Sequence, residues 1–213
     1  MDDASNGELR RRKIELRATA HARRRAQADR AALSRQIADR LWAQPEYAAA
    51  RTLLAYVAYQ SEVHTRELIA QAWADGKRVV LPDCHDGRLR LFQVESFAEL
   101  EPGTLGILEP RPEVRGRPER EANIATIDLV LAPGVAFDRR GGRLGHGKGY
   151  YDRLLAEVGP QTCLIGLAFE CQVFDEVPLM AHDVPMHKVI TERAVWARED
   201  RQGAPARPSQ PPA

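Results

Sequence analysis

The chain has 213 residues, enough for one domain of ordinary to large size that needs no disulfide or metal staple to build a core. Hydrophobic residues at 44% and charged residues at 29% exclude a disordered chain, and aromatics at 6% offer no stacking platform for single-stranded nucleic acid. A formal net charge of +1 excludes a surface tuned throughout for a polyanion. No uninterrupted apolar run approaches the roughly 18 residues of a membrane span, and the MDDASNGELRRRK start lacks the apolar stretch of a signal peptide. Cys84, Cys163 and Cys171 are odd in number and widely spaced, which fits reduced thiols and a cytoplasmic location. A zinc site from Cys84 and His85, or from Cys171 and His182, matches no standard ligand spacing.

The basic charge is concentrated early. Between Glu8 and Arg40 eleven Lys and Arg stand against four Asp and Glu, a net of +7, so the remainder of the chain sums to about −6. The segment has neither Pro nor Gly and is rich in Ala, which predicts helix, and Leu33, Ile37 and Leu41 give its second half an apolar face. Pro45 predicts a break near Ala43 and Gln44. Two readings of the arginines stay open: a solvated face, or a contact for nucleotide phosphates, a polyglutamate tail or RNA.

Strand-like and helix-like runs then alternate. Thr52 to Tyr59 reads as a strand covered on both faces, and Thr65 to Asp75 as a helix with Thr65 as N-cap and Gly76 at its end. Arg78 to Leu81 reads as a strand stopped by Pro82, and Leu89 to Val94 as a half-buried strand of period two. Glu109 to Arg120 reads as a long loop. Ile127 to Ala132 is a buried strand, Tyr150 to Val158 a helix, Cys163 to Phe169 a strand and Val189 to Thr191 a short last strand. This order predicts an α/β fold, a layered, largely parallel β-sheet flanked by helices in a single domain over residues 8–197. Residues 1–7 are expected to be flexible. The tail from Arg198, with four of the fourteen prolines in its last nine residues, is expected to be disordered.

The informative stretch runs from Pro133 to Arg153. A buried strand enters a loop with five glycines in nine residues (Gly141, Gly142, Gly145, Gly147, Gly149), and a helix follows. Such a loop lets backbone amides approach phosphate oxygens. Gly142 to Lys148 satisfies G-x-x-x-x-G-K, but Gly149 stands where a P-loop needs Ser or Thr. Gly145-His146-Gly147 begins a dinucleotide fingerprint, but Tyr150 takes the third glycine position. Arg143 and Lys148 flank the glycines and can neutralise phosphate charge. Asp152 can hold magnesium on the same phosphates or simply interact with the helix dipole.

The segments PGVAFD (133–138), GRLG (142–145) and GKGYYDR (147–153) closely resemble the signature of the 5-formyltetrahydrofolate cyclo-ligase family. KIELR, with Lys13 and Arg17, resembles the family's N-terminal element. Glu62-Val63-His64-Thr65, Gly106-Ile107-Leu108-Glu109-Pro110 and His182-Asp183-Val184-Pro185 resemble further family elements in order. His146 and His187 depart from the family pattern. The resemblance implies a NagB/RpiA/CoA-transferase-like fold and an ATP- and Mg2+-dependent conversion of 5-formyltetrahydrofolate, with or without a polyglutamate tail, to 5,10-methenyltetrahydrofolate.

It also implies residue roles. Lys13, Arg17, Arg143, Leu144, Gly145, His146, Gly147, Lys148, Gly149, Tyr150 and Tyr151 would meet ATP, with Lys148 stabilising the transferred phosphoryl group as the catalytic residue. Val57, Glu62, His146, Gly147, Lys148, Gly149 and Tyr150 would meet the folate, and Asp152 and Asp183 would hold magnesium. Structural alternatives accompany these roles: Asp183 as a turn former before Pro185, Glu62 as a cap for the helix at Thr65, and Tyr151 and Val57 as core. Arg10, Arg11, Arg12, Arg23, Arg24 and Arg25 are expected on a solvated basic surface. No membrane or nucleic-acid partner is expected, and the expected state is a monomer. Two other functions remain open: a same-fold ATP-binding enzyme acting on a different formyl or thiamine-related compound, and an RNA-binding protein using the basic helix.

Overall fold

A computed structural model describes residues 3–103 and 106–199. Residues 200–213, most of the expected disordered tail, and Met1 and Asp2 of the expected flexible start lie outside the described residues. The basic segment forms two helices rather than one, α1 (Asp3–Ala26) and α2 (Arg30–Trp42). The chain turns at Asp29, whose φ of 52° is left-handed, a conformation a short polar side chain tolerates. The turn lets each helix face its own partner. Ile37, Ala38 and Leu41 of α2 enter the main core, while Ala20 of α1 packs on Val135, Ala136 and Leu144 elsewhere. The break before Pro45 is present, with Pro45 opening α3 (Pro45–Ala49).

A seven-stranded sheet follows the order β12-β11-β9-β6-β1-β2-β3. Its inner strands are β1 (Thr52–Leu54), β2 (Arg78–His85), β6 (Leu129–Ala132), β9 (Cys163–Leu167) and β11 (Lys188–Ile190), all parallel. The antiparallel edges are β3 (Arg88–Val94) and β12 (Val195–Ala197). Leu53 pairs with Val79 on one side and Leu129 on the other, which fixes the register. Layers cover both faces. Leu53 packs with α2 and with Leu68 and Ile69 of α4 (Arg66–Ala74), while Leu54 packs with Ile124 and with Leu155 of α6 (Tyr150–Leu155). The largely parallel, helix-flanked sheet expected from the buried apolar runs is therefore present.

Several boundaries differ. The strand expected over Thr52–Tyr59 leaves the sheet after Leu54, and its second half becomes a loop beside the site. Thr65 stands at the N-cap of α4 without capping it. Its hydroxyl donates to the Tyr56 carbonyl (2.6 Å) and accepts from the Ala58 amide (3.2 Å), tying that loop down. Pro82 does not stop β2. The Val80 carbonyl faces β1 and accepts from Ala55 (3.0 Å), and Pro82, two residues on, faces the same side beyond the end of β1, where no N–H is required. The strand at Leu89 to Val94 is present as β3, with Leu91, Phe92 and Val94 buried. Glu109 to Arg120 is no open loop. It holds β5 (Leu108–Pro110), which pairs with β4 (Leu100–Pro102), then α5 (Pro112–Arg115) and a short 3-10 turn. The expected last strand at Val189 is followed by β12.

A second sheet, β10-β7-β8, is built from β7 (Ala136–Asp138), β8 (Arg143–Leu144) and β10 (Val173–Phe174). It lies just past the end of β6 and carries the glycine loop, and α1 packs across it.

Candidate active site

The loop is positioned by a buried carboxylate. Asp138 closes β7 and accepts from the amides of Arg140 (2.9 Å), Gly142 (2.8 Å) and Val177 (2.8 Å), which sets the β7–β8 turn and aims β8 at α1. At its far end Gly149, with φ of 65°, takes the left-handed turn into α6 that a Cβ would strain.

Between α1, the glycine loop and the 180–183 segment lies a cleft of about 300 Å³. Lys13 and Arg17 reach it from α1, Arg143 from β8, Asp152 from α6 and Asp183 from the opposite wall. Lys13 pairs with Asp183, which also accepts from the Met180 amide (2.7 Å). Arg143 pairs with Asp152 (2.6 Å) and donates to the Pro133 carbonyl (3.2 Å), while its Nε is buried without a partner. Arg17 Nε donates to the Gly145 carbonyl (2.9 Å), and its guanidinium lies beside Gly147. Burial lowers the Arg17 pKa, and the charges of Asp183 and Asp152 oppose that shift, so both carboxylates act on one cation. An arginine so placed stays charged.

A second cluster adjoins the cleft. Glu62 is buried. One carboxylate oxygen accepts from the Tyr59 amide (2.9 Å), and the other lies 3.9 Å from Arg24 and 3.9 Å from His146. Burial raises the Glu62 pKa, against the Tyr59 hydrogen bond and the Arg24 charge. His146 is pushed down to about 4 by burial, then by Arg24, His21, Arg17 and Arg143, so its ring is neutral at neutral pH. Tyr151 packs against the second core layer and its hydroxyl is buried without a partner, with its pKa raised by desolvation. Arg153 sits over the half-buried Tyr150 ring, 5.4 Å from its centroid. Val57 is half-buried against the main core.

The structure thus brings together Lys13, Arg17, Arg143, Leu144, Gly145, Gly147, Gly149, Asp152 and Asp183 in one cleft, with Glu62 and His146 beside it. Lys148 stands exposed on the same loop, outside the cleft lining. Glu62 does not cap α4, because its carboxylate closes the turn at Tyr59 instead. His187 accepts from the Leu164 amide through Nδ1 (2.8 Å) and braces β9. One expectation fails outright: Arg24 is 3% exposed, not solvated, and donates to Ser61 and Gly134. The signal was present in the spacing, since Lys13, Arg17, Ala20 and Arg24 fall on one helix face. Met180, which also lines the cleft, carries no such signal.

The two carboxylates suit magnesium, which binds through one or two carboxylates and completes its shell with water and phosphate oxygens. Among the described residues no three of His, Cys, Asp and Glu converge, so such an ion would depend on a ligand's own oxygens. Among the described residues, too, no helix is long and apolar enough to cross a membrane.

The chain is similar to known proteins along most of its length. Residues 3–192 match the 5-formyltetrahydrofolate cyclo-ligase family. The chain is 34% identical over 168 residues to the 5-formyltetrahydrofolate cyclo-ligase of Escherichia coli K12, covering 77% of this chain and 90% of that one. It is 34% identical over 154 residues to a probable 5-formyltetrahydrofolate cyclo-ligase of Caenorhabditis elegans, covering 67% and 73%. The solved structure of Aquifex aeolicus 5,10-methenyltetrahydrofolate synthetase superposes with a TM-score of 0.75 at 34% identity, over 92% of this chain and 97% of that one.

Proposed function

Since the chain belongs to the 5-formyltetrahydrofolate cyclo-ligase family, we propose that it converts 5-formyltetrahydrofolate and ATP to 5,10-methenyltetrahydrofolate, ADP and phosphate. The observation that carries this reading is the cleft in which four cations (Arg10, Lys13, Arg17 and Arg143) and two carboxylates line a pocket against the glycine-rich loop.

An N-formyl group is a poor electrophile and its oxygen a poor leaving group. Transfer of the γ-phosphoryl group to the formyl oxygen lets that oxygen depart as phosphate while N10 of the folate bonds to the formyl carbon and loses its proton. The chain's task is then positioning and charge neutralisation. Arg17 and Lys13 bind phosphate oxygens from α1. The amides of Gly145, His146, Gly147 and Gly149 cradle the same oxygens, with Leu144 and Arg143 forming the floor. Lys148 closes from the loop onto the transferred phosphoryl group. Asp152 and Asp183 would hold magnesium, which would supply charge neutralisation on the phosphates. As ATP enters, Lys13 and Arg143 exchange their carboxylates for phosphate, which frees both carboxylates.

On the folate side Glu62 offers its open oxygen to donors of the pterin, Val57 supplies an apolar wall, and neutral His146 lies between the two subsites. Tyr150 packs on the ligand, and Tyr151 backs Arg143, whose guanidinium carbon lies 5.8 Å from the ring centroid. The test follows the near-ultraviolet absorbance of the methenyl product from purified protein with 5-formyltetrahydrofolate. A rise that needs both ATP and magnesium is expected. A flat trace from folded protein that binds ATP overturns the folate assignment.

A further inference from the structure

Arg24 is the arginine of α1 whose burial nothing above uses. Its guanidinium donates from Nε to the Ser61 hydroxyl (3.0 Å) and from Nη1 to the Gly134 carbonyl (3.3 Å), and Nη1 stands 3.9 Å from Glu62. A buried guanidinium carries a large desolvation penalty that only well-placed partners offset. Its contacts explain the charge. Ser61 and Glu62 belong to the loop that leaves β1. Gly134 follows β6 and leads into the hairpin bearing the glycine loop, and Arg24 itself lies on the helix face of Lys13 and Arg17. One side chain therefore ties together the three segments that form the two subsites.

We propose that Arg24 is a positioning residue for Glu62, holding the Ser61–Glu62 turn against α1 so that the open carboxylate oxygen faces the folate. The proposal rests on the reading that Glu62 meets the folate. Electrostatics supports the geometry. The other titratable groups facing Glu62 among the described residues are His146 on the glycine loop, neutral near pH 7, and the phenols of Tyr56 after β1 and Tyr151 of α6, which burial keeps protonated. Arg24 is the positive charge that opposes the burial of the carboxylate. Without it, burial raises the Glu62 pKa with one fewer group opposing the shift.

The experiment uses the full chain with Arg24→Gln, Arg24→Lys and Ser61→Ala, each alone and with Glu62→Gln, after melts confirm folding. Arg24→Gln is expected to raise the KM for 5-formyltetrahydrofolate by about tenfold or more, the size of a lost charge-assisted contact, while the KM for ATP changes by less than about threefold. The acid limb of kcat/KM for folate moves to higher pH. Arg24→Lys recovers part of the loss, and Arg24→Gln has little further effect once Glu62 is Gln. If Arg24→Gln does not fold, Ser61→Ala carries the test, with a smaller rise confined to the folate KM. Equal rises in both KM values, an unmoved acid limb, or full additivity with Glu62→Gln overturns the proposal. Wild-type protein that forms no methenyl product overturns the functional reading instead.

Discussion

Replacing Asp138 by Ala removes the one carboxylate that organises the β7–β8 turn. The side chain is 3% exposed and accepts three amides, of which those of Gly142 and Val177 are buried. Hydrogen bonds to a charged acceptor contribute about 1.5–3 kcal/mol each, and a buried donor left unsatisfied carries its full desolvation penalty. The three share one acceptor and are not additive, so the total is about 3–5 kcal/mol, at the upper end for point mutations. At about 2–4 °C per kcal/mol for a chain of this size, thermal unfolding should fall by roughly 6–20 °C. Asp138→Asn keeps one carbonyl acceptor but sets an amide donor against an N–H, so its loss should be about half as large. Melts and urea midpoints give the stability, and the KM for ATP reports the loop, because the same turn places Arg143 in the cleft. An Asp138→Ala protein that melts within about 3 °C of wild type would refute this account of how the loop is held.

Gly141 has φ of 88°, and a Cβ there would lie 2.1 Å from the Met186 carbonyl oxygen. Gly141→Ala should destabilise by about 2–4 kcal/mol, read as a lowered urea midpoint with unchanged m, and an unchanged midpoint would contradict the close approach. Lys148 is exposed, so Lys148→Ala should leave stability within about 0.5 kcal/mol while kcat falls by about 10²–10³. Normal turnover by that variant would remove Lys148 from the phosphoryl site. His146, with its pKa depressed to about 4, binds no proton in the folded state where the unfolded chain already does. Its contribution is therefore present above about pH 6.5 and is lost as pH falls toward 4, screened because the ring is partly exposed. His146→Gln should flatten the fall in melting temperature over that window, and a ring titrating in the ordinary imidazole range by NMR would refute the assignment.

Local residue chemistry was legible. The apolar spacing of Leu33, Ile37 and Leu41 marks the core face of α2, the apolar runs at 127–132 and 163–169 mark buried parallel strands, and the glycines at 141–149 mark an irregular loop, three of whose glycines line the cleft. These signals are local because side-chain period and backbone freedom are properties of a few adjacent residues. Strands of two or three residues such as β7, β8, β10 and β12 are too short to carry a period. The turn at Asp29 has no Pro or Gly to announce it, and Pro82 is admitted to β2 by the early departure of β1, a matter for a neighbouring strand.

The family motifs named most of the charged residues that line the cleft. They did not say which charge meets which. The pairing of Lys13 with Asp183, 170 residues away, and the seat of Arg17 on Gly145, 128 away, arise when α1 is laid across the small sheet. That same packing turns Arg24 inward while Arg23 and Arg25 remain outside. A run of three arginines is one pattern of charge in the chain. The penalty for removing a charge from water, and the partners that offset it, exist only once distant segments have closed around it.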